Sequence, residues 1–246
     1  MQKRLFIANF KNYLTAEQER IALQTIPEPA RADDQLVVLP SLLSLSHCRE
    51  WLADKRVAFG SQTCGSQGYG AFTGQIPAQE LAALGCRFSL VGHSEERAIA
   101  NDLHRLGDQL AQVLQAGMTP IICVGYGITQ QEGVTAASRL TDEFETIMTR
   151  AFSHGVKPTA AIIIAYEPHW AIGTGIVPSG QDITHVADKM HSAAQQMLNS
   201  TRSLVIYGGS VTQDNCKELI NLPSINGLLI GRASTNGQEL QNIINC

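Results

Sequence analysis

Apolar and polar residues alternate in blocks along this chain. Eight short segments are near-continuous runs of β-branched residues and leucine, the pattern typical of parallel strands that are covered on both faces. The segments are RLFIANF from Arg4, QLVVLP from Gln35, RVAFGSQ from Arg56, RFSLVGH from Arg87, TPIICVG from Thr119, AAIIIAYE from Ala160, SLVIYGG from Ser203 and NGLLIG from Asn226. The pattern predicts buried strands with longer connections between them.

Four of those connections have the periodicity of amphipathic helices. They are AEQERIALQTI, DLHRLGDQLAQVLQAG, TAASRLTDEFETIMTRAF and ITHVADKMHSAAQQML. In the last of them, Ile183, Val186, Met190 and Met197 follow a spacing of i, i+3, i+7 and i+14. That spacing places the four apolar side chains on one face of a helix.

Strands that alternate with helices favour an α/β fold with a parallel sheet. Eight such units in 246 residues predict a single (β/α)8 barrel, eight parallel strands ringed by helices. No linker, low-complexity tract or domain boundary is visible, so residues 1–246 are expected to form one catalytic domain. A doubly wound open sheet is the structural alternative. The count of eight and the lack of a GxGxxG turn after the first strand disfavour it, although spacing alone does not exclude it.

Composition excludes several classes of function. The chain is 44% hydrophobic, its formal net charge is −4, and no lysine- or arginine-rich run indicates a nucleic-acid or membrane surface. No apolar stretch approaches the ~18 residues of a membrane-spanning helix, and the N-terminal apolar run is too short for a signal peptide. The six cysteines form no CxxC pair, which favours free thiols in a reducing cytoplasm over disulfides or a zinc site. No metal or other cofactor is expected.

In a barrel of this kind, chemistry takes place where strands end and lead into helices. Polar side chains and glycines occur at most of these ends. They are Asn9 and Lys11, Gln62, His93 to Glu95, Gly125, Glu167, Gly208 to Ser210, and Gly231 with Arg232. A lysine, a histidine and a glutamate beside several glycines indicate a proton-transfer set next to an anion site.

Six motifs carry a resemblance to a known family. They are NFK at 9–11, GAFTG at 70–74, VGHSE at 91–95, AYEPHWAIGTG at 165–175, YGGSV at 207–211 and GLLIGRAS at 227–234. In this order, and spread over nearly the whole chain, they resemble the triosephosphate isomerase family. The resemblance implies a TIM barrel and a cytoplasmic, cofactor-independent isomerase of glycolysis and gluconeogenesis. Its substrate would be a small sugar phosphate, with dihydroxyacetone phosphate and D-glyceraldehyde 3-phosphate interconverted through an enediolate.

The resemblance also implies roles for five residues. Glu167 is the base, and a carboxylate with apolar neighbours is a stronger base than one in water. His93 is the electrophile, expected to act as neutral imidazole because the backbone N–H groups of the helix after it disfavour a charged ring. Lys11 supplies positive charge, Asn9 binds substrate, and Glu95 is expected to pair with Lys11 and orient it.

Phosphate binding is expected to use backbone N–H groups in glycine-rich turns. By the resemblance, these belong to Gly173, Ser210, Gly231 and Arg232. The stretch that follows Glu167 is expected to be a mobile lid that closes over the substrate and excludes water. Its leading hinge comprises Pro168, His169 and Trp170, its tip comprises Ala171, Ile172, Gly173, Thr174 and Gly175, and the trailing hinge begins at Ile176.

Members of the family pair through the loop after the third strand, here roughly residues 64–76. The resemblance therefore implies a homodimer in which Thr73 lies near the partner's Asn9 and Lys11. His169, Arg232, Gln75 and Glu96 depart from the family pattern. Gln75 and Glu96 stand where relatives have a glutamate and an arginine that form an ion pair across the interface. Because an amide can donate a hydrogen bond to a carboxylate, a Gln75–Glu96 contact is expected instead.

Two other functions stay open at this point. The first is an isomerase of a four-carbon ketose phosphate that uses the same base and electrophile, a change that Arg232 could accompany. The second is a phosphate-binding paralogue without turnover, which the presence of Asn9, Lys11, His93 and Glu167 argues against.

Overall fold

The computed structural model describes residues 3–157, 161–198 and 202–246. Eight parallel strands form a closed barrel, each paired with its neighbours in sequence and the last with the first. The strands are β1 (Leu5–Asn9), β2 (Gln35–Leu39), β3 (Val57–Ser61), β4 (Phe88–Val91), β5 (Thr119–Val124), β6 (Ile162–Tyr166), β7 (Ser203–Tyr207) and β8 (Gly227–Ile230). The (β/α)8 barrel predicted from the sequence is therefore confirmed, and each of the eight apolar segments contains one strand. Ala160, the first residue of the sixth segment, lies outside the described residues.

Helices surround the barrel. They are α1 (Ala16–Gln24), α2 (Leu42–Leu45), α3 (Cys48–Trp51), α4 (Ala78–Leu84), α5 (Ser94–Arg97), α6 (Leu103–Gln115), α7 (Ala137–Phe152), α8 (Gly180–Leu198), α9 (Cys216–Ile220) and α10 (Gly237–Ile244). The four amphipathic stretches correspond to α1, α6, α7 and α8. The others are short, and periodicity over one or two turns is too weak a signal to locate them.

The strand segments are apolar throughout because both of their faces are covered. Side chains such as Ile7, Val37 and Ile163 point into the barrel and pack against one another. The alternate side chains, such as Phe6 and Val38, point outwards and pack against the helices. Two apolar layers on either side of one sheet explain why the strands lack the alternation of half-exposed strands.

Closure of the barrel brings the ends of distant strands together. Leu5 on β1 is level with Gln35 on β2 and with Gly227 on β8, so the first and last strands lie side by side. Parallel pairing directs the carboxyl end of every strand to the same rim. Residues that follow β1, β4, β6, β7 and β8 therefore meet at one end of the barrel.

All six cysteines are free thiols, as the sequence predicts. Five are buried, and burial raises the pKa of the thiols of Cys48, Cys64 and Cys86 to about 12. Among the described residues, no helix is long and apolar enough to cross a membrane.

Helices α6 and α7 are joined by an ion-paired carboxylate. Asp108 Oδ1 accepts from Arg150 Nε at 2.6 Å and lies 2.7 Å from His154 Nε2. Burial raises the pKa of Asp108, but hydrogen bonds from Arg150 and His154 lower it more, so its pKa lies below the ordinary value. A carboxylate with a depressed pKa stabilises the fold above its unfolded-state pKa, and that stabilisation is lost as pH falls through the folded-state pKa.

We therefore predict that Asp108→Asn lowers the free energy of unfolding at pH 7 by about 1–2 kcal/mol. The difference from wild type should shrink as the pH falls below about 4, the ordinary pKa of the group, and through its lower folded-state pKa. Urea denaturation of both proteins across this range measures the effect. A difference that stays constant with pH would show that Asp108 does not contribute through its charge.

Candidate active site

A cavity of about 650 Å³ opens at the carboxyl-terminal end of the barrel. Its walls come from the loops that follow β1, β4, β6, β7 and β8. Every residue predicted to be catalytic or to bind substrate lines it: Asn9, Lys11, His93, Glu95, Glu167, Gly173, Ser210, Gly231 and Arg232. The fold thus brings together side chains that are up to 223 positions apart in the sequence, from Asn9 to Arg232.

Glu167 is a buried carboxylate directly after β6, with 3% of the residue exposed. Its Oε1 lies 3.4 Å from His93 Nε2, whereas its Oε2 is buried without a hydrogen-bond partner among the described residues. Burial raises the pKa of Glu167, but the His93 ring and the Cys123 thiol lower it, and the net direction is downward. The carboxylate is therefore ionised at neutral pH, and one of its oxygens is buried without a hydrogen-bond partner among the described residues.

Two glycines make room for Glu167. A Cβ on Gly208 would lie 2.8 Å from Glu167 Cγ, so any larger residue would push the carboxylate out of place. Gly125 has a φ of 120°, and a Cβ there would lie 2.3 Å from the backbone oxygen of Glu167. Loops after β5 and β7 thus fix Glu167 from two sides.

His93 is held by the first turn of α5. The backbone N–H of Glu95 donates to His93 Nδ1 at 3.2 Å. An imidazolium has no free lone pair to accept this bond, so the bond favours a neutral ring with its proton on Nε2, which faces Glu167. Burial lowers the pKa of His93, but the Glu167 carboxylate raises it, and the net direction is upward.

Lys11 has a left-handed backbone, with a φ of 48°. The Asn9 side-chain oxygen accepts from the Lys11 N–H at 3.0 Å, and Gln62 Nε2 donates to the Lys11 carbonyl at 2.9 Å. Lys11 Nζ pairs with Glu95 Oε1 at 2.9 Å, which is the ion pair expected from the sequence. A conformation that costs a non-glycine residue about 1–3 kcal/mol is thus held by polar contacts at both backbone groups and at the side chain.

Gln62 therefore has a role that the sequence does not reveal. From the sequence it is only a polar residue at the end of β3. In the structure its amide nitrogen also donates to the Leu39 carbonyl at 3.0 Å, so it ties the loop after β1 to the last residue of β2. Its position as a polar residue at a strand end was the only sign of this role in the sequence. The partners of Gln62 are backbone carbonyls, and these cannot be identified from side-chain types.

The lid, residues 168–176, lies against the loop that follows β7. Ser210 Oγ donates to the Ala171 carbonyl at 2.6 Å and accepts from the Gly175 N–H at 3.0 Å. Ile172, Gly173 and Gly175 line the cavity. The other lid residues do not line it: Pro168, His169, Trp170, Ala171, Thr174 and Ile176.

The predicted phosphate-binding turns all line the cavity. The backbone N–H groups of Gly173 and Ser210 have no acceptor within the described parts of the chain. Arg232 begins a single turn of 3₁₀ helix (Arg232–Thr235) and does not have positive φ, so it carries no left-handed backbone strain. Its side chain is exposed and makes no ion pair with any residue that the structure describes.

Comparison with known proteins places these features in a family. The model of the triosephosphate isomerase family matches residues 4–246. The chain is 33% identical to the triosephosphate isomerase of Bdellovibrio bacteriovorus, with 98% of each chain covered. It is 34% identical to that of Lawsonia intracellularis, with 98% of this chain and 97% of the relative covered. The Thermus thermophilus enzyme is 33% identical, with 95% and 94% covered.

The chain belongs to the triosephosphate isomerase family.

Within this triosephosphate isomerase family member, the motifs have distinct locations. Five of the six contribute residues to the cavity, whereas residues 70–74 (GAFTG) lie in the loop after β3 and do not line it. Residues 3–157, 161–198 and 202–246 contain no group of three or more histidine, cysteine or acidic side chains that could hold a metal ion.

Proposed function

We propose that this chain is a triosephosphate isomerase that interconverts dihydroxyacetone phosphate and D-glyceraldehyde 3-phosphate in one catalytic domain, residues 1–246. Family membership gives the reaction. The observation that carries the residue assignment is that Glu167, whose Oε2 has no hydrogen-bond partner among the described residues, lines one cavity with His93 and Lys11. A buried, ionised carboxylate with a free oxygen fits the role of a general base.

In the proposed mechanism, Glu167 takes a proton from the carbon beside the substrate carbonyl. The electrons of the broken C–H bond form the double bond of an enediolate, and the carbonyl oxygen gains negative charge. Protonated Glu167 then returns the proton to the neighbouring carbon, and a proton passes between the two substrate oxygens. No electron leaves the substrate, so the reaction needs no redox partner.

His93 and Lys11 stabilise the developing charge. The Glu95 N–H on Nδ1 supports a neutral His93 that donates from Nε2, although the Glu167 charge alone would favour the imidazolium. We assign the neutral ring because the hydrogen bond at Nδ1 is a direct geometric constraint. Lys11 adds a fixed positive charge whose position is set by Asn9, Gln62 and Glu95.

The phosphate is proposed to bind to the glycine-rich turns that line the cavity. The free N–H groups of Gly173 and Ser210, with the turn at Gly231 and Arg232, are suited to an anion. With Gly173 in the lid, phosphate binding favours the closed lid, which excludes water from the enediolate. No observation favours either alternative, a four-carbon ketose phosphate isomerase or a paralogue without turnover. A coupled assay that compares glyceraldehyde 3-phosphate with tetrulose phosphates separates all three.

Replacement of the base gives the first test of this mechanism. Glu167→Gln keeps the volume of the side chain but cannot accept the proton, so we predict a fall in kcat of at least ~10²–10⁴-fold. Binding of inorganic phosphate, measured by calorimetry, should be retained because the backbone N–H groups proposed to bind it are unchanged. Near-normal turnover by this variant would refute the assignment.

Arg232 is proposed to contribute its backbone and not its charge. Its exposed guanidinium makes no ion pair in the described structure, and the glycine-rich turn brings the backbone close to the anion. Arg232→Gly is therefore expected to change KM by less than about fivefold, or roughly 1 kcal/mol. The salt dependence of kcat/KM should be nearly unchanged. A hundredfold rise in KM would instead show that the side chain binds phosphate, and would reopen the identity of the sugar phosphate.

The homodimer is also a proposal. The loop after β3 is closed at its base, where the Gly65 N–H donates to the Ile76 carbonyl at 2.7 Å. Its tip exposes two aromatic side chains, Tyr69 at 68% and Phe72 at 43%, which supports its burial against a partner. Thr73 at the tip is exposed as well and is proposed to approach the partner's active site.

Glu96 is suited to the contact expected with the partner's Gln75. Within the chain, Glu96 Oε1 accepts from Arg105 Nη1 at 3.2 Å, from Gln109 Nε2 at 3.1 Å and from Thr63 Oγ1 at 3.2 Å. Glu96 Oε2 is buried and has no partner among the described residues. Because Oε2 is closed off from solvent within the chain, an amide donor from a second copy would reach it only after the Glu96 side chain turns.

We predict that Gln75→Glu raises the dimer dissociation constant about tenfold. The substitution replaces a donor with a second carboxylate, and Arg105 offsets only part of the repulsion because its Nη1 is already bound to Glu96. Sedimentation equilibrium of wild type, Gln75→Glu and the uncharged control Gln75→Ala measures this effect. Equal affinity for wild type and Gln75→Glu would rule out the contact. The cytoplasmic location and the lack of a cofactor stay predictions from the sequence.

A further inference from the structure

The leading hinge of the lid rests on an aromatic ring. His169 is the first residue of the 3₁₀ turn that follows Pro168, and its imidazole lies against the Tyr126 ring, with centroids 4.9 Å apart and planes inclined by 32°. The His169 N–H also donates to the Gly125 carbonyl at 3.2 Å. Two adjacent residues of the loop after β5 therefore contact one hinge residue, through its backbone and through its ring.

Tyr126 is itself held from beneath by a buried arginine. Arg97 Cζ lies 5.0 Å from the centroid of the Tyr126 ring, and Arg97 is only 2% exposed. Its guanidinium forms two hydrogen bonds with Glu143 on α7, at 2.6 and 2.9 Å, and its Nε donates to Asn101 at 2.9 Å. Because three hydrogen bonds fix the Arg97 guanidinium, the Tyr126 ring that packs on it presents a rigid surface to the lid.

We propose that the His169–Tyr126–Arg97 stack is an anchor that sets the rate of lid opening, with His169 and Tyr126 acting as positioning residues. This inference rests on the proposed function, because it assigns a role within the proposed lid motion. The anchor lies at the base of the lid, while the Ser210 contacts with Ala171 and Gly175 hold its tip. Opening must break the tip contacts and turn the hinge against the stack.

The stack opposes opening because its contacts are made only when the hinge packs on the loop after β5. An aromatic contact of this kind shifts a two-state equilibrium by roughly 3- to 10-fold. Since a closed lid retains the enediolate and its phosphate, an anchor that slows opening also limits the loss of inorganic phosphate from the intermediate. His169 is exposed, so the alternative is a surface residue whose ring contact has no effect on the lid.

The chain offers a direct reporter of lid position. Its sequence has two tryptophans, Trp51 on α3 and Trp170 in the lid. A Trp51→Phe background makes Trp170 the sole indole, and its fluorescence relaxation can be followed after mixing with inorganic phosphate. This readout requires binding but no turnover, so it remains informative even if the proposed reaction is wrong.

In that background we expect His169→Val and Tyr126→Leu each to speed lid opening by about 3- to 10-fold. The double variant should open no faster than the faster single variant, because both substitutions remove the same contact, the one between the His169 and Tyr126 rings. Tyr126→Phe keeps the ring and should behave as the parent, which separates loss of the stack from damage to the loop. His185→Val, which removes an exposed histidine on α8 outside the cavity, is the matched control.

Turnover supplies a second readout in the wild-type background. His169→Val should raise the fraction of turnovers that end in inorganic phosphate and methylglyoxal by about 3- to 10-fold, with KM changed less than this fraction. Opening rates of His169→Val and Tyr126→Leu equal to that of His185→Val would overturn the anchor. The anchor would also be overturned if the two increases in opening rate multiplied in the double variant, because His169 and Tyr126 would then act independently. Absence of turnover in wild type would refute the proposed function and leave the fluorescence test standing.

Discussion

One buried carboxylate imposes the constraints that shape this end of the barrel. An ionised group with an unpaired oxygen is costly to remove from water, and Glu167 is held in that state by the strand that precedes it. The glycines at 125 and 208 are required by its position, and the His93 ring lies against its other oxygen. The stability of eight strands and their helices keeps in place a group that would otherwise move into solvent.

The barrel could be predicted because both faces of its strands are buried. This burial makes each strand a continuous apolar run, and parallel pairing makes the intervening helices obligatory. Long helices such as α6 and α7 have enough turns for an apolar face to be visible. The single turns at α2, α3 and α5 are specified by tertiary contacts, for example by the bonds from Ser41 and Ser44 to the buried Glu19 carboxylate, and these are not apparent from local sequence.

The site was predictable to the extent that its residues lie in motifs at strand ends. Lys11, His93 and Glu167 could be placed in one cavity once the fold was known. The residues that support them could not, because their partners are distant in sequence or belong to the backbone. Gln62 bonds to carbonyls 51 and 23 residues away, and the His169 ring rests on a tyrosine from another loop. Likewise, a glutamate at position 96 is anomalous until Arg105 is seen beside it.

The buried cysteines can report which part of the barrel opens to solvent first. A thiol with a pKa of about 12 is almost wholly protonated at neutral pH, and only the thiolate reacts with alkylating reagents. Cys48 is the first residue of α3, Cys64 lies in the loop after β3, and Cys86 lies just before β4. Each becomes reactive only when its own part of the barrel opens to solvent. The order in which mass spectrometry finds these three thiols labelled would thus give the order in which the first half of the barrel opens, with no probe added to the chain.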